Sequence, residues 1–255
     1  MARLPRNPDW TRDQQLIALR LYIRMPFGRL TSRSHEIIAL ARLIGRTPGA
    51  LTMKAGNFGS LDPDLNRKGL SNVSQADRML WAEYVANPTQ VGLEMEEAAA
   101  RFQTPDADQV VELPAAITLQ ETEGTRLVRV RRVQSIFRAA VRTSYDDRCA
   151  ITGLAEPQLL VASHIIPWSE SVERRADPTN GILLNALLDR AFDRGLIAFD
   201  ENYCVLVSTR LEEAAAAADL DCSLSQLRGR SLTLPNRFRP DPAALEHHRR
   251  NQFCP

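Results

Sequence analysis

Two stretches of the chain, CAITGLAEPQLLVASHIIPW (149–168) and DPTNGILLNALLDRAFDRGLIAFD (177–200), decide the fold of its C-terminal part. In the first, an apolar run (LLVA) leads into His164, and in the second an apolar run (GILL) follows Asn180. Short apolar runs bounded by Pro, Gly and Asn predict strands, and the residues after the second run predict a short helix. A strand, a loop, a strand and a helix can place one imidazole and one carboxylate around a single phosphate.

Four polar residues in these stretches can carry hydrolytic chemistry. The imidazole of His164 has an ordinary pKa near 6.5, which leaves a neutral fraction at pH 7 and suits a general base. Asn180 begins the second strand, so its side chain can hydrogen-bond the backbone across the loop and orient the imidazole. Asp189 is a candidate metal ligand, and Asp193, one helical turn later, is a second ligand or a partner of the neighbouring arginines. In an arbitrary chain, a lone His is more often a core residue and an Asn before Gly is more often a turn residue.

These residues resemble the HNH endonuclease family, in the form found in many bacterial restriction-type proteins. The resemblance rests on CAITG (149–153), SHIIPW (163–168), DPTNGILLN (177–185) and LLDRAFDRGLI (187–197), in this order and at this spacing. It implies a ββα-metal site in which the histidine activates water and the helical carboxylate stands where the family has its final His, Asn or Asp. A carboxylate without a thiolate favours Mg²⁺ or Mn²⁺ over zinc.

One position departs from the family pattern. Many HNH sites carry a ligating Asp or His immediately before the catalytic His, and this chain has Ser163 there. A neutral hydroxyl is a poor metal ligand, so the sequence predicts a site that binds metal more weakly, relies on substrate phosphate or recruits Asp193. The departure also leaves open a decayed, inactive site.

Bulk composition places the chain among soluble globular proteins. It has 255 residues, of which 44% are hydrophobic and 25% are charged. No apolar run approaches the roughly 20 residues that span a membrane, and the start, MARLPRNPDW, lacks a signal-peptide core, so we expect a cytoplasmic protein without a membrane partner. The four cysteines lie far apart and form no CxxC pair, so no structural zinc is expected.

Charge is distributed in blocks although the net charge is only +1. Residues 1–58 carry ten Lys/Arg against three Asp/Glu, residues 59–125 carry four against twelve, and residues 126–148 carry seven against two. Two basic blocks on either side of an acidic one predict a protein that touches a polyanion at two places. The alternative is a set of solvated helix faces.

The stretch SHEIIALARLIGRTPGALTMKAGNF (34–58) predicts a helix, a tight turn and a helix. Ala41, Gly45 and Leu51 have the residue types and spacing of a helix-turn-helix, whose second helix can read base edges in a major groove. The side chains predicted to face outward and bind DNA are Arg46, Thr47, Thr52, Lys54 and Asn57. Residues 61–74 are predicted to be a loop or the wing of a winged helix. An ordinary helical hairpin, or a region that only mediates dimerisation, has the same pattern.

Residues 126–145 (RLVRVRRVQSIFRAAVRTSY) predict an extended segment that becomes a helix. Arg131, Arg138 and Arg142 recur at i, i+7 and i+11, which is one helical stripe, and are predicted to contact phosphates. The face predicted to be buried comprises Val133, Ile136, Phe137, Ala140 and Val141. A solvated charged face is the alternative.

Together these patterns predict an α+β protein in three parts. A mainly helical helix-turn-helix or winged-helix-like domain is expected at 1–90, an acidic linker that can contain a helix at 93–102 is expected at 91–125, and a ββα-metal nuclease domain is expected at 126–255. Near the C-terminus, PAALEHHRRNQF predicts a helix on which His247 and His248 are exposed.

The expected function is that of a metal-dependent HNH endonuclease that hydrolyses double-stranded DNA. The family resemblance suggests a restriction or phage-defence role, with the N-terminal domain recognising sequence or modified bases. One ββα site cuts one strand, so cutting both strands predicts a homodimer. The alternative function is a non-catalytic DNA-binding regulator that retains an HNH scaffold.

Overall fold

The computed structural model describes residues 9–65, 73–102, 123–217 and 227–255. The described residues cluster into two compact units. The N-terminal unit contains residues 9–61, 73–86, 90–102 and 123–132. The C-terminal unit contains residues 62–65, 87–89, 133–217 and 227–255. Helices combine with two small antiparallel sheets, as the α+β prediction expects.

The N-terminal unit is built around its first helix. Its elements are α1 (Arg12–Arg24), a 3₁₀ turn (Phe27–Arg29), α2 (His35–Leu43), α3 (Pro48–Leu61), α4 (Gln75–Ala86) and α5 (Pro88–Arg101). Thr11 caps α1 in a capping box with Gln14, so the helix starts where its first free N–H groups find acceptors. Nearly every residue from Gln15 to Ile23 is buried, so α1 is the central helix of the unit.

The predicted helix, turn and helix are present at α2 and α3. Gly45 has a φ of +67°, the left-handed conformation that ends α2, and Thr47 accepts a hydrogen bond from the Ala50 N–H at 3.2 Å to start α3. Leu51, Ala55 and Phe58, which recur at i, i+4 and i+7 on α3, are all buried. The described residues of this unit form no strand, so the predicted wing has no counterpart in them. The remainder of the predicted wing, residues 66–72, lies outside the described residues.

The orientation predicted for Lys54 is wrong. Its side chain is buried, and its Nζ lies 2.9 Å from Asp77 Oδ2 on α4. Asp77 is fully buried and also accepts hydrogen bonds from Gln15 at 3.0 Å and Asn57 at 3.4 Å. Burial alone raises the pKa of Asp77, but the hydrogen bonds from Lys54, Ser74 and Gln15 outweigh it and hold that pKa below its usual range. Lys54 therefore stabilises the interior of the unit instead of projecting to solvent.

The first part of the predicted acidic linker is a packed helix. Helix α5 buries Val91, Met95 and Ala98, and its Glu96 forms a buried ion pair with Arg20 of α1, Nε to Oε1 at 2.9 Å. The apolar stripe at i, i+4 and i+7 makes this segment part of the N-terminal unit, although its acidic composition suggested a linker. The rest of the predicted linker, residues 103–122, lies outside the described residues.

Helix α6 (Glu123–Ser144) is helical throughout, so the extended start predicted for this segment is wrong. The predicted buried face is confirmed, because Val133, Ile136, Phe137, Ala140 and Val141 are all buried. The alternation of Val and Arg before that face favoured a strand, but burial at helical spacing decides the backbone conformation.

The C-terminal unit contains the predicted hairpin and helix. Its elements are β1 (Leu160–His164), β2 (Gly181–Asn185), α7 (Ala186–Asp193), β3 (Ile197–Phe199), β4 (Val205–Val207), α8 (Thr209–Ala217) and α9 (Pro242–Asn251). Strand β1 pairs with β2 in an antiparallel register that sets His164 opposite Gly181. Asn185 caps α7 by accepting the Leu188 N–H at 3.0 Å, so the helix starts directly at the end of β2. The hairpin, α7 and the second part of α6 share one core.

The prediction that His248 is exposed is wrong. Its ring is 1% exposed, stacks on Phe192 with centroids 3.8 Å apart, and donates from Nε2 to the Phe192 carbonyl at 3.1 Å. Adjacent residues on a helix point about 100° apart, so one histidine can face the core while His247 stays near solvent. The described helices include none that is both long enough and apolar enough to cross a membrane.

Candidate active site

A cleft of ≈ 450 Å³ in the C-terminal unit brings together the end of β1, the exposed side of α7 and the C-terminal segment. Its lining residues are Val161, Ala162, Ser163, His164, Pro167, Trp168, Asp189, Arg190, Asp193, Arg194 and Gln252. The cleft therefore contains four of the residues predicted to be catalytic or metal-binding, and the fifth, Asn180, lies outside its lining.

His164 is held in one orientation by its Nε2 atom. This atom lies 3.0 Å from the carbonyl oxygen of Arg175, which can only accept a hydrogen bond, so Nε2 carries the proton. In the neutral ring Nδ1 is then the basic nitrogen, and no described residue hydrogen-bonds to it. Burial lowers the pKa of His164, and the bond to the Arg175 carbonyl opposes part of that effect. The ring is therefore a neutral base at pH 7.

The His164 ring is supported by two aromatic side chains. Phe137 of α6 stacks on it with ring centroids 3.6 Å apart and an interplanar angle of 12°. Trp168 meets it edge-on at 5.7 Å, and the guanidinium of Arg175 lies over the Trp168 ring at 4.8 Å. The Arg175 Nε also donates to the Trp168 carbonyl at 3.0 Å. Arg175 therefore holds the His164 ring through its own carbonyl and holds Trp168 through its side chain.

Gly181 allows α6 to approach the hairpin this closely. A Cβ atom at this position would lie 2.8 Å from Phe137 Cζ and closer still to Val141 Cγ2. Because His164 pairs with Gly181 across the hairpin, the absence of a side chain there makes room for the ring that stacks on His164. Gly181, which follows Asn180 directly, thus has a packing role in addition to its position after a turn.

Asn180 closes the loop between the strands, as predicted. It is 1% exposed, accepts the Ile166 N–H through Oδ1 at 2.8 Å and donates from Nδ2 to the Ile166 carbonyl at 3.1 Å. Its own carbonyl accepts the Ile165 N–H at 2.9 Å. These bonds fix the backbone directly after His164. Asn180 therefore acts on the imidazole through the backbone and makes no hydrogen bond to the ring.

Asp189 and Asp193 lie one turn apart on α7, on the side of the helix that lines the cleft. Burial raises the pKa of both carboxyl groups, and the charge of Asp189 raises the pKa of Asp193 further. Neither forms an ion pair with a described residue, so the predicted pairing of Asp193 with a neighbouring arginine is not observed. Two carboxylates that disfavour each other's charge suit a cationic ligand.

Two further polar atoms at the cleft make no hydrogen bond with the described residues. Ser163 is 3% exposed, and its Oγ makes no hydrogen bond of full distance and angle, although a weaker hydrogen-bonding interaction with Asp189 opposes the rise in the pKa of that carboxyl. Gln252 reaches the cleft from the end of α9, and its Nε2 is likewise buried without a partner. Buried polar atoms of this kind are uncommon and mark sites where a ligand or ordered water completes the bonding.

The described residues contain no group of three or more His, Cys, Asp or Glu side chains arranged around a common point for a metal ion. A Mg²⁺ ion, however, usually keeps several waters and binds one or two carboxylates together with substrate phosphate. The elevated pKa values of Asp189 and Asp193 fit such a partly hydrated ion. Ser163 could contribute only a neutral oxygen.

The residues predicted to bind DNA lie on two helices. Arg46, at the start of α3, donates to Gln14 Oε1 at 2.7 Å and stacks over Trp10, while Thr47 is exposed as the cap of the helix. Thr52 is half-buried and donates to the Pro48 carbonyl at 2.9 Å, and Asn57 bonds to Asp77. The outward surface predicted for α3 is therefore largely committed to contacts within the unit.

The arginine stripe predicted on α6 is more accessible. Arg131 and Arg138 are exposed, whereas Arg142 is half-buried and forms an ion pair with Asp147, Nε to Oδ1 at 2.6 Å. Arg138 makes no hydrogen bond or ion pair with a described residue.

Sequence reasoning did not find the supporting roles of Phe137, Arg175 and Gln252. Phe137 was predicted to be buried, but no local signal shows that it stacks on a histidine 27 positions later. Gln252 comes from the far end of the chain, and only the folded structure brings it to the cleft.

Comparison with known proteins adds one finding to this geometry. No curated protein matches the chain at a significant level. One family model matches residues 149–200, a segment that spans the hairpin, α7 and β3 and so contains the two strands and the helix that line the cleft. A nuclease-type, DNA-cleaving function is what the match suggests. That family is described as HNH endonuclease, and residues 149–200 of this chain are similar to it.

Proposed function

We propose that the C-terminal unit is a metal-dependent DNA endonuclease with His164 as its general base. One observation carries the proposal. His164 donates from Nε2 to a backbone carbonyl, its Nδ1 has no hydrogen bond to a described residue, and it lines the same cleft as two carboxylates. The carboxylates are those of Asp189 and Asp193. The match to an HNH endonuclease family supports the same reaction.

In this proposal His164 Nδ1 takes a proton from a water molecule, and the water oxygen attacks the phosphorus of a DNA backbone phosphate. The bond from phosphorus to the 3′ oxygen breaks, and the departing 3′ oxygen takes a proton from solvent, which leaves 5′-phosphate and 3′-hydroxyl ends. Asn180 and Arg175 keep the imidazole in place through the backbone, and the buried stack with Phe137 keeps it neutral. A divalent cation such as Mg²⁺ or Mn²⁺, held by Asp189 and Asp193, would supply charge neutralisation at the phosphate.

Nicking of a supercoiled plasmid tests the proposal. Wild type is compared with His164→Ala and with His35→Ala, an exposed histidine in the N-terminal unit that serves as the control. Reactions contain Mg²⁺, Mn²⁺ or EDTA, with unmodified and cytosine-modified DNA. We expect cleavage that needs metal, survives in His35→Ala and is lost in His164→Ala. Equal cleavage by the His164→Ala variant would contradict the role of the base.

A second function is favoured by Ser163 and by the lack of a three-ligand metal cluster among the described residues. In this alternative the HNH fold is a scaffold, and the chain is a DNA-binding regulator without catalysis. Wild type would then bind DNA and leave it intact on every substrate and with every metal.

The basic N-terminal unit is proposed to help recognise DNA, on the basis of the charge of residues 1–58. Arg131 and Arg138 of α6 are the exposed members of the proposed phosphate-binding stripe. Substituting both by Gln should weaken DNA binding by the same factor on all sequences. A cytoplasmic restriction or phage-defence role, and a homodimer that cuts both strands, complete the proposal. Sedimentation with and without DNA tests the dimer.

A further inference from the structure

Helix α7 and Arg194, the residue that caps its C-terminal end, present two rows of opposite charge to the cleft. Asp189 and Asp193 form one row, and Arg190 and Arg194, each the next residue along, form the other. Residues four positions apart are neighbours on a helix surface, so each row is a pair of adjacent side chains. The carboxylates are the proposed metal ligands, and the arginines have no part in the function proposed so far.

Both arginines are exposed, and neither hydrogen-bonds or forms an ion pair with a described residue. Several other arginines of the C-terminal unit are engaged, although Arg138 is not. Their partners are Asp177 and Asp241 for Arg174, the Trp168 carbonyl for Arg175, Glu212 for Arg228, the Phe199 carbonyl for Arg249 and Glu246 for Arg250. Although Arg190 and Arg194 lie beside two carboxylates, their guanidinium groups remain available to another anion.

Charge balance at the cleft indicates which anion this is. Two carboxylates alone would repel a polyanionic backbone, whereas two guanidinium groups beside them cancel that charge. A guanidinium is always charged, and its planar array of N–H donors matches two oxygens of one phosphate. A phosphodiester is therefore the ligand that this row fits.

We propose that Arg190 and Arg194 bind the backbone phosphates of the DNA strand in the cleft and position that strand against His164. The inference rests on the proposed nuclease function and assigns its substrate-binding side chains. The alternative is structural, because positive side chains in the last turn of a helix also stabilise it.

The test measures DNA binding without cleavage. All variants carry His164→Ala, and affinity for a fluorescent duplex is measured at several salt concentrations in Mg²⁺. Arg190→Gln and Arg194→Gln should each weaken binding by about tenfold on every sequence. Each should also lower by about one the salt slope, which is the slope of the logarithm of the binding constant against the logarithm of the salt concentration. Arg210→Gln is the matched control, since Arg210 is an exposed arginine on α8 outside the cleft, and it should change neither value.

Two further measurements separate binding from folding. Arg194→Lys should keep most of the salt slope while losing part of the affinity, because the charge stays and the planar donor array is lost. Thermal unfolding of each variant shows whether the helix is affected. Unchanged affinity and slope in both Gln variants, with or without lower stability, would overturn the proposal in favour of the structural alternative.

Failure of this inference is distinguishable from failure of the proposed function. If wild type cuts DNA and the slopes do not change, only the arginine assignment fails. If wild type cuts nothing on any substrate, the nuclease proposal fails. The salt dependence of DNA affinity in the arginine variants still reports whether these arginines bind phosphate.

Discussion

Replacing Gly181 by alanine should damage both the stability and the chemistry of the C-terminal unit. The backbone at Gly181 has φ −134° and ψ 145°, which alanine adopts without strain, so the added methyl group is the whole perturbation. That methyl would lie 2.8 Å from Phe137 Cζ, well inside van der Waals contact, with Val141 closer still. Phe137 can withdraw from the methyl group only by shifting its ring relative to His164, on which it is stacked with centroids 3.6 Å apart.

The magnitude follows from two opposing effects. Overpacking a closed core costs typically about 1–3 kcal/mol. Restricting the unfolded chain by a Gly to Ala change returns about 0.4–1 kcal/mol. Taking the middle of each range, the net loss for Gly181→Ala is about 1.3 kcal/mol, or a melting temperature lower by roughly 3–5 °C. Displacing the base by about 1 Å can cost on the order of 100-fold in rate, so nicking should fall more than stability.

Calorimetry and plasmid nicking together check this prediction. Gly49→Ala is the matched control, because a Cβ at that helical position would meet nothing within 4 Å, and it should leave both readouts unchanged or raise stability slightly. Val141→Ala combined with Gly181→Ala should recover part of the loss, since it removes the closest clash. A Gly181→Ala protein as stable and as active as wild type would refute the packing argument.

Three further changes have expected outcomes. Asn180→Ala leaves the N–H and carbonyl of the half-buried Ile166 without these partners and should lower the free energy of unfolding in urea titrations by about 1–3 kcal/mol. Asp77→Ala isolates the buried charge of Lys54 and should lower the free energy of unfolding by about 3–5 kcal/mol. The double variant Lys54→Met with Asp77→Leu should recover most of that loss, because it buries no charge. A double variant as unstable as Asp77→Ala would contradict this. Burial lowers the pKa of His248 to about 4, so the unfolded chain binds the proton first as pH falls, and stability should drop by roughly 1.4 kcal/mol per pH unit between about 6.5 and 4. His248→Phe, compared in urea at pH 7 and 4.5, should lose that part of the pH dependence.

Local patterns were enough to predict the hairpin and the helix that follows it. Apolar runs ending at His164 and starting at Gly181 lie within a few residues of turn signals, and these features depend on neighbours in sequence. The role of Asn180 across the loop was predictable for the same reason, because an Asn beside Pro and Gly bonds to nearby backbone. The observed helix, turn and helix at α2 and α3 also follow from a local signal at Gly45.

What could not be predicted depends on partners distant in sequence. Lys54 is buried because Asp77, 23 positions later, meets it inside the unit, and no periodicity within α3 shows this. Phe192, 56 positions before His248, receives its hydrogen bond and stacks on its ring. Gln252 enters the cleft only because the end of the chain folds back on α7. Such contacts are set by tertiary packing, which overrides the exposure that charge and polarity suggest.

The two closures of the loop between β1 and β2 have an evolutionary consequence. Asn180 hydrogen-bonds to Ile166 where the loop leaves and rejoins the strands, and Arg175 hydrogen-bonds to the Trp168 carbonyl nearer the tip of the loop. Doubling the length of a closed loop costs only about 0.6 kcal/mol of folding free energy. Residues added between Trp168 and Arg175 would therefore disturb the imidazole little. The exposed tip near Val172 is thus the part of the loop where evolution can add residues while the surroundings of the imidazole stay the same.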